Sequence, residues 1–205
     1  MIPVRPAKII GIGRNYLEHA RELGNEVPAV PILFFKPTTA LIGSGEPILL
    51  PSVSTRVEFE AEIGVVIGKR IRNADQAAAE RAIGGFVCVN DVTCRDLQKI
   101  DGQWGRAKGF DTFCPVGPIV TDDLDPTAVT VETKLNGETK QSGNTKDFIF
   151  PVAVVIRAVS RVMTLLPGDL ITTGTPTGVG PMKPGDVVEV SIPGVGTLKN
   201  PVAAE

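Results

Sequence analysis

The most informative part of the sequence is residues 57–68, which read VEFEAEIGVVIG. The second half is rich in Val and Ile, which favour β-strands, and its glycines indicate close approach of a neighbouring backbone. Side chains alternate between the two faces of a strand, so Glu58, Glu60 and Glu62 are predicted to share one face at a spacing of about 7 Å. Like charges this close, beside a buried core, raise one another's pKa or hold a cation between them.

The pattern alone leaves two interpretations of these acids open. They could form the solvated edge of a strand, because an E-x-E pattern is common. They could instead bind a metal ion at the mouth of a buried strand, since the apolar run 63–67 follows without a polar interruption.

Composition sets the class of protein that we expect. The 205 residues, 42% of them hydrophobic, are enough for one sizeable core, so we expect a single catalytic domain over 1–205, with an N-terminal strand and helix within 1–45. The net charge of −2 gives no electrostatic footprint for nucleic acid or an anionic membrane. The N-terminus lacks a signal-peptide run, and no segment reaches the roughly 18 apolar residues of a membrane helix, so we expect a cytoplasmic protein.

The cysteines and the turn-forming residues narrow the fold further. Cys88, Cys94 and Cys114 lack C-x-x-C spacing, so we expect reduced, buried thiols. The 22 Gly and 17 Pro residues divide the chain into short elements and argue against a helical bundle.

His19 is the only histidine of the chain. It falls in a helix predicted over 16–23, for which Asn15 is the expected N-cap and Gly24 the expected stop. Glu22 follows one turn later on the same face, where a carboxylate can orient an imidazole for general acid–base catalysis. The alternative is an exposed helix with an ordinary i,i+3 contact.

Three later segments carry further candidate site residues. Residues 86–91 predict a buried strand ending in Asp91, which would either supply a third oxygen ligand or begin the helix predicted at 93–100. Lys108 could pair with a site carboxylate or a substrate acid, although an isolated loop lysine is usually solvated. The loop 174–180 offers N–H groups and hydroxyls to an anion, and a small carboxylate is the expected ligand because the ending of a phosphate loop is missing.

Local signals predict the remaining elements. The pair Asn136-Gly137 is a preferred two-residue turn and predicts a β-hairpin over 129–141. Strands are predicted at 8–11, 48–50, 169–173, 186–192 and 197–202, and helices at 73–81 and 151–164.

Glycines and aromatic residues near the N-terminus are interpreted as structural. Gly11 and Gly13 lack the third glycine of a dinucleotide-binding motif, so a tight turn is expected. Phe34 and Phe35 are expected in the core.

Taken together, these segments resemble the fumarylacetoacetate hydrolase (FAH) family, and more closely its short acylpyruvase and oxaloacetate decarboxylase branch. The resemblance covers nearly the whole chain. A set of motifs that occurs in the same order as in the family is more specific than any single motif. The motifs are GRNY at 13–16 with His19 and Glu22, FFKP at 34–37, EAEIGVVIG at 60–68, NDVTCRD at 90–96, AKGFD at 107–111 and GTPTGVG at 174–180. The fold implied is mixed α/β and β-rich, a roll of curled mixed sheets with few helices like the FAH C-terminal domain, usually in a homodimer.

The resemblance implies that Glu60, Glu62 and Asp91 bind a divalent cation and that Glu58 lies outside the site. All-oxygen ligation suits Mg²⁺ or Mn²⁺ rather than zinc. Three carboxylates leave about three of roughly six octahedral positions for substrate and water.

The implied reaction is hydrolysis of the C3–C4 bond of 2,4-dioxo acids, acylpyruvates such as fumarylpyruvate or acetylpyruvate, to pyruvate and a carboxylic acid. The carboxylate and 2-keto oxygens of the 2-oxo acid would chelate the cation, which would stabilise the enolate of pyruvate. His19, oriented by Glu22, would activate the attacking water. The alternatives are oxaloacetate decarboxylation, which needs no water attack, isomerisation or tautomerisation of a related 2-oxo diacid, and a catalytically idle protein that binds oxo acids.

The resemblance also implies roles for the remaining polar residues. Lys108 is expected to be catalytic and, with Thr175, to hold the acid end of the substrate. The helix of His19 resembles a lid that becomes ordered when substrate binds. Relatives often carry histidine where Phe59 stands here, which leaves the substrate as the open question. The expected substrate contacts are Arg14, Tyr16, Arg95, Gln141 and Thr175.

Overall fold

The computed structural model describes residues 4–22 and 26–205. This part of the chain is mixed α/β and β-rich with few helices, as predicted. Its strands are β1 (Ile9–Gly13), β2 (Ile32–Lys36), β3 (Leu41–Ile42), β4 (Ile48–Leu50), β5 (Val57–Phe59), β6 (Ala61–Ile67), β7 (Ile83–Asn90), β8 (Thr93–Cys94), β9 (Cys114–Thr121), β10 (Thr130–Leu135), β11 (Glu138–Asn144), β12 (Leu170–Thr172), β13 (Gly180–Pro181), β14 (Val187–Ile192) and β15 (Gly196–Ala204). Its helices are α1 (Leu17–Glu22), α2 (Gln76–Arg81), α3 (Arg95–Asp101), α4 (Gly105–Lys108) and α5 (Val152–Val162).

The strands form three sheets. The largest has seven strands in the order β2-β1-β12-β6-β7-β9-β3, and it is mixed, because β1 pairs with β12 in parallel while β6 pairs with β7 in antiparallel. A five-stranded sheet has the order β11-β10-β14-β15-β4, and a small sheet has the order β13-β5-β8.

Strand β6 lies in the middle of the seven-stranded sheet. Ile63, Val65 and Ile67 alternate along it and belong to one core cluster with α5 and with residues of β14 and β15. Gly64 faces the other side, where an added Cβ would lie 2.6 Å from Val89. The strand is therefore covered on both faces, which explains its apolar sequence.

The hairpin predicted from Asn136-Gly137 is confirmed. Leu135 pairs with Glu138, and the two turn residues have φ values of 54° and 82°. Positive φ at both central positions is the requirement of a type I′ turn, which Asn-Gly satisfies.

The predicted single strand over 57–68 is wrong in one respect. It is interrupted at Glu60, with β5 in the small sheet and β6 in the large one. The alternation that placed Glu58 on the same face as Glu62 therefore does not hold across the break. Phe59, which stands where histidine was expected from the family resemblance, is buried in the core.

Two further predictions near the N-terminus are wrong, the tight turn at Gly11 and Gly13 and the buried position of Phe35. Gly11 and Gly13 lie within β1 rather than in a tight turn, and side chains there are excluded because an added Cβ would lie 2.0 Å from the Phe34 ring and 2.2 Å from the Trp104 ring. Phe35 is 50% exposed, so its core assignment is wrong.

The helix around His19 is confirmed as α1, and the predicted stop at Gly24 lies outside the described residues. The segment around Lys108, expected as a loop, contains the short helix α4. Cys88, Cys94 and Cys114 are free and buried, as predicted. Among the described residues, no helix is both long and apolar enough for a membrane crossing.

Candidate active site

Three carboxylates meet at one end of the β6–β7 pair. Glu60 immediately precedes β6 and Asp91 immediately follows β7, and the two strands are antiparallel with Ala61 opposite Asn90. The N–H of Asp91 donates to the carbonyl of Glu60 at 2.9 Å, which fixes the two backbones together. Glu60, Glu62 and Asp91 are buried, and their nearest oxygen atoms lie within 4.8 Å of one another. We call these three residues the carboxylate cluster.

Two buried lysines neutralise part of this cluster. Lys108 Nζ donates to Glu60 at 2.9 Å, to Asp91 at 2.7 Å and to the Thr93 hydroxyl at 2.7 Å. Lys36 Nζ donates to the other oxygen of Asp91 at 2.6 Å. Burial by itself lowers the pKa of Lys108, but Asp91 and Glu60 outweigh it and raise that pKa above its usual value. Lys108 is therefore an ion-pair partner rather than a solvated lysine.

Glu58 lies outside the cluster, as the family resemblance implied. Its two oxygens accept from Arg56 at 2.6 Å and from Arg95 at 2.7 Å. Arg95 also donates to Glu60, so it joins Glu58 to the cluster. Burial raises the pKa of Glu60, but Lys108 and Arg95, with a smaller effect of His19, bring it below the usual value.

Glu62 is the member of the cluster without a cationic partner among residues 4–22 and 26–205. It accepts a hydrogen bond from the Gly174 N–H at 2.7 Å. Burial, followed by the charges of Asp91 and Glu60, raises the pKa of Glu62 well above its usual value. Three converging carboxylates, one of them lacking a cation, fit a hard divalent ion such as Mg²⁺ or Mn²⁺.

The single histidine faces the same space from α1. His19 Nδ1 lies 3.0 Å from Glu22 Oε2, and the other Glu22 oxygen accepts from the Gly178 N–H at 3.2 Å. His19 is only 5% exposed, so the interpretation of an exposed surface contact is wrong. Because Nδ1 is held by Glu22, the imidazole has one orientation and leaves Nε2 for proton transfer.

Asn15 connects α1 to the loop that holds Glu62. Its side-chain nitrogen donates to the Thr173 carbonyl at 2.8 Å, and its oxygen accepts from the Phe150 N–H at 2.8 Å. The oxygen is thus occupied outside α1, and the predicted N-cap is wrong. Thr173 immediately precedes Gly174, so Asn15 ties the start of the His19 helix to the backbone that binds Glu62.

A cavity of about 510 Å³ joins the carboxylate cluster to the His19–Glu22 pair. Of the predicted substrate contacts, Arg14, Arg95 and Thr175 line it, whereas Tyr16 and Gln141 are not among its described lining residues. The other lining residues with polar or aromatic side chains are Phe34, Gln98, Lys99, Trp104 and Lys108.

Gln141 supports the wall of the cavity from behind. Its amide nitrogen donates to the Thr175 hydroxyl and to the Pro176 carbonyl, each at 2.8 Å, and its oxygen accepts from the Ala61 N–H at 3.0 Å. Tyr16 is also buried, and its hydroxyl has no hydrogen-bond partner among the described residues. Burial, with the charges of Glu62 and Asp147, raises the pKa of Tyr16.

Sequence reasoning missed several residues of the site. Phe34 was expected only in the core, and Lys36 appeared only within the FFKP motif, without a role in the site. Gln98 lies one helical turn after Arg95 and accepts from it at 2.7 Å, so the i,i+3 spacing on α3 was a usable signal. Trp104 could not be placed from sequence, because its position depends on contact with Phe34 across the chain.

Known proteins with a similar sequence or fold cover most of this chain. The family model "Fumarylacetoacetate (FAA) hydrolase C-terminal" matches residues 8–203. The mitochondrial oxaloacetate decarboxylase of Dictyostelium discoideum is 43% identical over 197 residues, covering 93% of this chain and 90% of the relative. Two solved structures are similar as well. A 5-carboxymethyl-2-hydroxymuconate delta-isomerase from Mycobacterium smegmatis is 45% identical with a TM-score of 0.94, covering 100% of this chain and 81% of that one.

The second structure is a fumarylpyruvate hydrolase from Pseudomonas aeruginosa in complex with Mn²⁺ and pyruvate. It is 32% identical with a TM-score of 0.92, covering 100% of this chain and 91% of that one. The relatives therefore differ in reaction while sharing one fold. On the extent of the family match and the identity to its members, this chain belongs to the fumarylacetoacetate hydrolase family.

Proposed function

We propose that this protein is a divalent-metal-dependent hydrolase that cleaves the C3–C4 bond of acylpyruvates. The products would be pyruvate and the carboxylic acid of the acyl group. The observation that carries the proposal is one cavity with a buried three-carboxylate cluster on one side and an oriented His19–Glu22 pair on the other. The similar fumarylpyruvate hydrolase, solved with Mn²⁺ and pyruvate, supports it.

Glu60, Glu62 and Asp91 would hold Mg²⁺ or Mn²⁺, and the bound ion would act as a Lewis acid towards the charge that develops on the 2-keto oxygen. The charges of the chain agree with this role. With all of them ionised, as metal binding requires of Glu62, the four buried carboxylates among the described residues around the cluster exceed the three buried cations by one negative charge. A dication reverses that sign, so the loaded site would attract an anionic substrate. The groups are Glu58, Glu60, Glu62 and Asp91 against Lys36, Arg95 and Lys108.

His19 would remove a proton from the water that attacks the C4 carbonyl. Glu22 holds Nδ1, so Nε2 is the atom that accepts the proton, and Glu22 stabilises the imidazolium that results. General-base catalysis of this kind contributes about 10²–10⁴-fold. Breaking the C3–C4 bond then leaves the electron pair on C3, as the enolate of pyruvate.

Lys108 and Thr175 would position the acid end of the substrate. Both line the cavity, and both are already held by hydrogen bonds. Because the three N–H groups of Lys108 are all used, it would act on the substrate acid through its positive charge. Lys108 is held by Glu60 and Asp91, and Thr175 by the Gln141 amide. Side chains that are already ordered lose little conformational entropy when substrate binds.

Oxaloacetate decarboxylation is the second candidate function, favoured by the 43% identity to the Dictyostelium discoideum decarboxylase. Loss of CO₂ from oxaloacetate gives the same enolate and needs no attacking water. The carboxylate cluster would serve both reactions, whereas His19 as a base would serve only hydrolysis. Isomerisation of a 2-oxo diacid is the third, supported by the similar isomerase structure.

Turnover of acetylpyruvate, fumarylpyruvate and oxaloacetate, with Mg²⁺ or Mn²⁺ and after chelation, tests the proposal. We expect acylpyruvate hydrolysis that EDTA abolishes and either ion restores. The His19→Gln variant should lose about 10²–10⁴-fold in acylpyruvate turnover and keep its oxaloacetate turnover. Activity that survives complete chelation would contradict the metal role, and fast oxaloacetate turnover with no acylpyruvate hydrolysis would favour the decarboxylase.

A further inference from the structure

Arg14 is a cation of the cavity wall that has no anionic partner among the residues that the structure describes. Lys108 and Arg95, which line the same cavity, are both paired with carboxylates. Within residues 4–22 and 26–205, Arg14 forms neither a salt bridge nor a side-chain hydrogen bond, and its one described side-chain interaction is with an aromatic ring. A half-buried guanidinium without an anion is suited to receive one from a ligand.

The backbone and a ring hold Arg14 in place. Its φ of 56° lies in the left-handed region, which is uncommon for a residue with a Cβ and is kept only where the surroundings enforce it. Its guanidinium carbon lies 6.0 Å from the centroid of the Trp104 ring. Gly13 allows this arrangement, because a Cβ there would lie 2.2 Å from Trp104. The backbone conformation and the ring contact thus place the guanidinium beside Trp104 at the cavity wall.

Arg14 also stands at the boundary of a second cavity. This neighbouring space of about 540 Å³ is lined by Arg14, Phe34 and Trp104, which line the first cavity too. Phe34 and Trp104 pack edge to face with ring centroids 5.4 Å apart. Lys108 Nζ lies 5.0 Å from the centroid of the Phe34 ring, so the two rings extend from the carboxylate cluster towards Arg14.

We propose that Arg14 binds a terminal carboxylate on the acyl group and makes this enzyme selective for 2,4-dioxo diacids over monoacids. The inference rests on the proposed function and adds the substrate class. The 2-oxo acid end lies at the carboxylate cluster, the hydrocarbon part contacts Phe34 and Trp104, and the far carboxylate accepts hydrogen bonds from Arg14. The planar guanidinium gives bidentate contact with a carboxylate while its face stays on the indole ring.

Lys99 provides the matched control. It is also a cation of the cavity wall, and it is exposed on α3. If the cavity attracts diacids only by general positive charge, loss of Lys99 and loss of Arg14 should have equal effects.

The test compares fumarylpyruvate with crotonylpyruvate, in which a methyl group replaces the far carboxylate of the same carbon chain. In the unmodified protein, kcat/KM for fumarylpyruvate should exceed that for crotonylpyruvate by about tenfold or more, because only fumarylpyruvate accepts charged hydrogen bonds from Arg14. Arg14→Met should remove this preference by raising KM for fumarylpyruvate about tenfold or more, with less than about twofold change for crotonylpyruvate. Arg14→Lys should keep part of the preference for fumarylpyruvate. Lys99→Met should change kcat/KM for both substrates by the same small factor.

The possible outcomes distinguish failure of the Arg14 role from failure of the proposed hydrolase function. Equal losses on both substrates in Arg14→Met, or an equal loss of preference in Lys99→Met, would overturn the role of Arg14. A wild-type protein that hydrolyses both substrates equally would overturn it without any variant, so misfolding of Arg14→Met leaves the test intact. If no acylpyruvate is hydrolysed at all, the proposed function fails, and the role of Arg14 fails with it.

Discussion

The two sides of the cavity are built in different ways. The carboxylate cluster lies at the end of two central strands, and its members Glu60 and Asp91 form buried ion pairs with Lys36, Lys108 and Arg95. The base side consists of the six-residue helix α1, in which His19 is oriented by Glu22. Outside the helix, the His19–Glu22 pair is held by the hydrogen bond from the Gly178 N–H.

The contrast between the two sides indicates that metal binding and proton transfer are assigned to separate parts of the fold. Like charges can be kept close only where long-range strand pairing and buried cations hold them, which the β6–β7 pair provides. An imidazole and its orienting carboxylate attract one another and need only helical spacing. We therefore expect changes on the carboxylate side to alter stability and metal binding, and changes on the helix side to alter only the hydrolytic step.

The largest effect on stability is expected for Lys36→Met. The substitution leaves Asp91 buried with Lys108 as its remaining lysine partner, and removing one partner of a buried ion pair costs about 3–5 kcal/mol. We expect the free energy of unfolding of the metal-free protein to fall by about 3 kcal/mol, measured by urea denaturation. Lys199→Met is the control, since its pair with Glu189 is exposed and should contribute less than about 1 kcal/mol. Equal costs in both variants would contradict the account of a buried, charge-balanced cluster.

The next effect compares Glu62 with Glu58, which lie at equal distances along the sequence from Glu60. Glu62→Gln keeps an acceptor for the Gly174 N–H but removes a ligand charge, so we expect about 100-fold lower kcat/KM and weaker Mn²⁺ binding. Glu58→Gln alters only the arginine pairs, and the loss should stay below about tenfold. Titration calorimetry with Mn²⁺ and steady-state kinetics measure both. Equal losses would mean that Glu58 belongs to the cluster.

A smaller and more selective effect is expected on the helix side. Glu22→Gln keeps the shape of the side chain but removes the charge that stabilises the imidazolium, so acylpyruvate kcat should fall about tenfold. Mn²⁺ affinity should stay the same. An equal fall in oxaloacetate turnover would show that the two sides of the cavity do not act separately.

The smallest effect is expected in the core, at the buried thiols of Cys88 on β7 and Cys114 on β9. Burial raises the pKa of Cys88 and of Cys114 to about 12. At pH 8.5 the native protein should therefore resist a thiol reagent, and unfolding should release all three thiols. The raised thiol pKa values also make the stability of the folded protein depend on pH. As pH rises above 9, the unfolded chain loses thiol protons that the folded chain keeps, so these two groups lower stability with increasing pH. Rapid native labelling would show that β7 and β9 open easily.

The sequence predicts local features best. The Asn136-Gly137 turn, helix α5 and the His19–Glu22 pair all follow from residues near one another in the chain, and the structure has each of them. The family resemblance added what spacing could not give, namely that Glu58 is excluded while Asp91 belongs with Glu60 and Glu62.

Features that depend on contacts between distant segments could not be predicted. The strand alternation failed at Glu60 because the chain there passes from one sheet to another. Asn15 was expected at a helix start, but distant backbone groups at Phe150 and Thr173 bind its side chain. The ion pair of Lys36 with Asp91 was not predicted, because a lysine after a short apolar run is ordinarily exposed.

A crystal of the protein soaked in Mn²⁺ and measured at the manganese absorption edge tests the central claim most directly. We predict one anomalous peak per chain, within coordination distance of Glu60, Glu62 and Asp91 together and away from Glu58. A peak at a different group of residues, or no peak at the cluster at saturating Mn²⁺, would contradict the account.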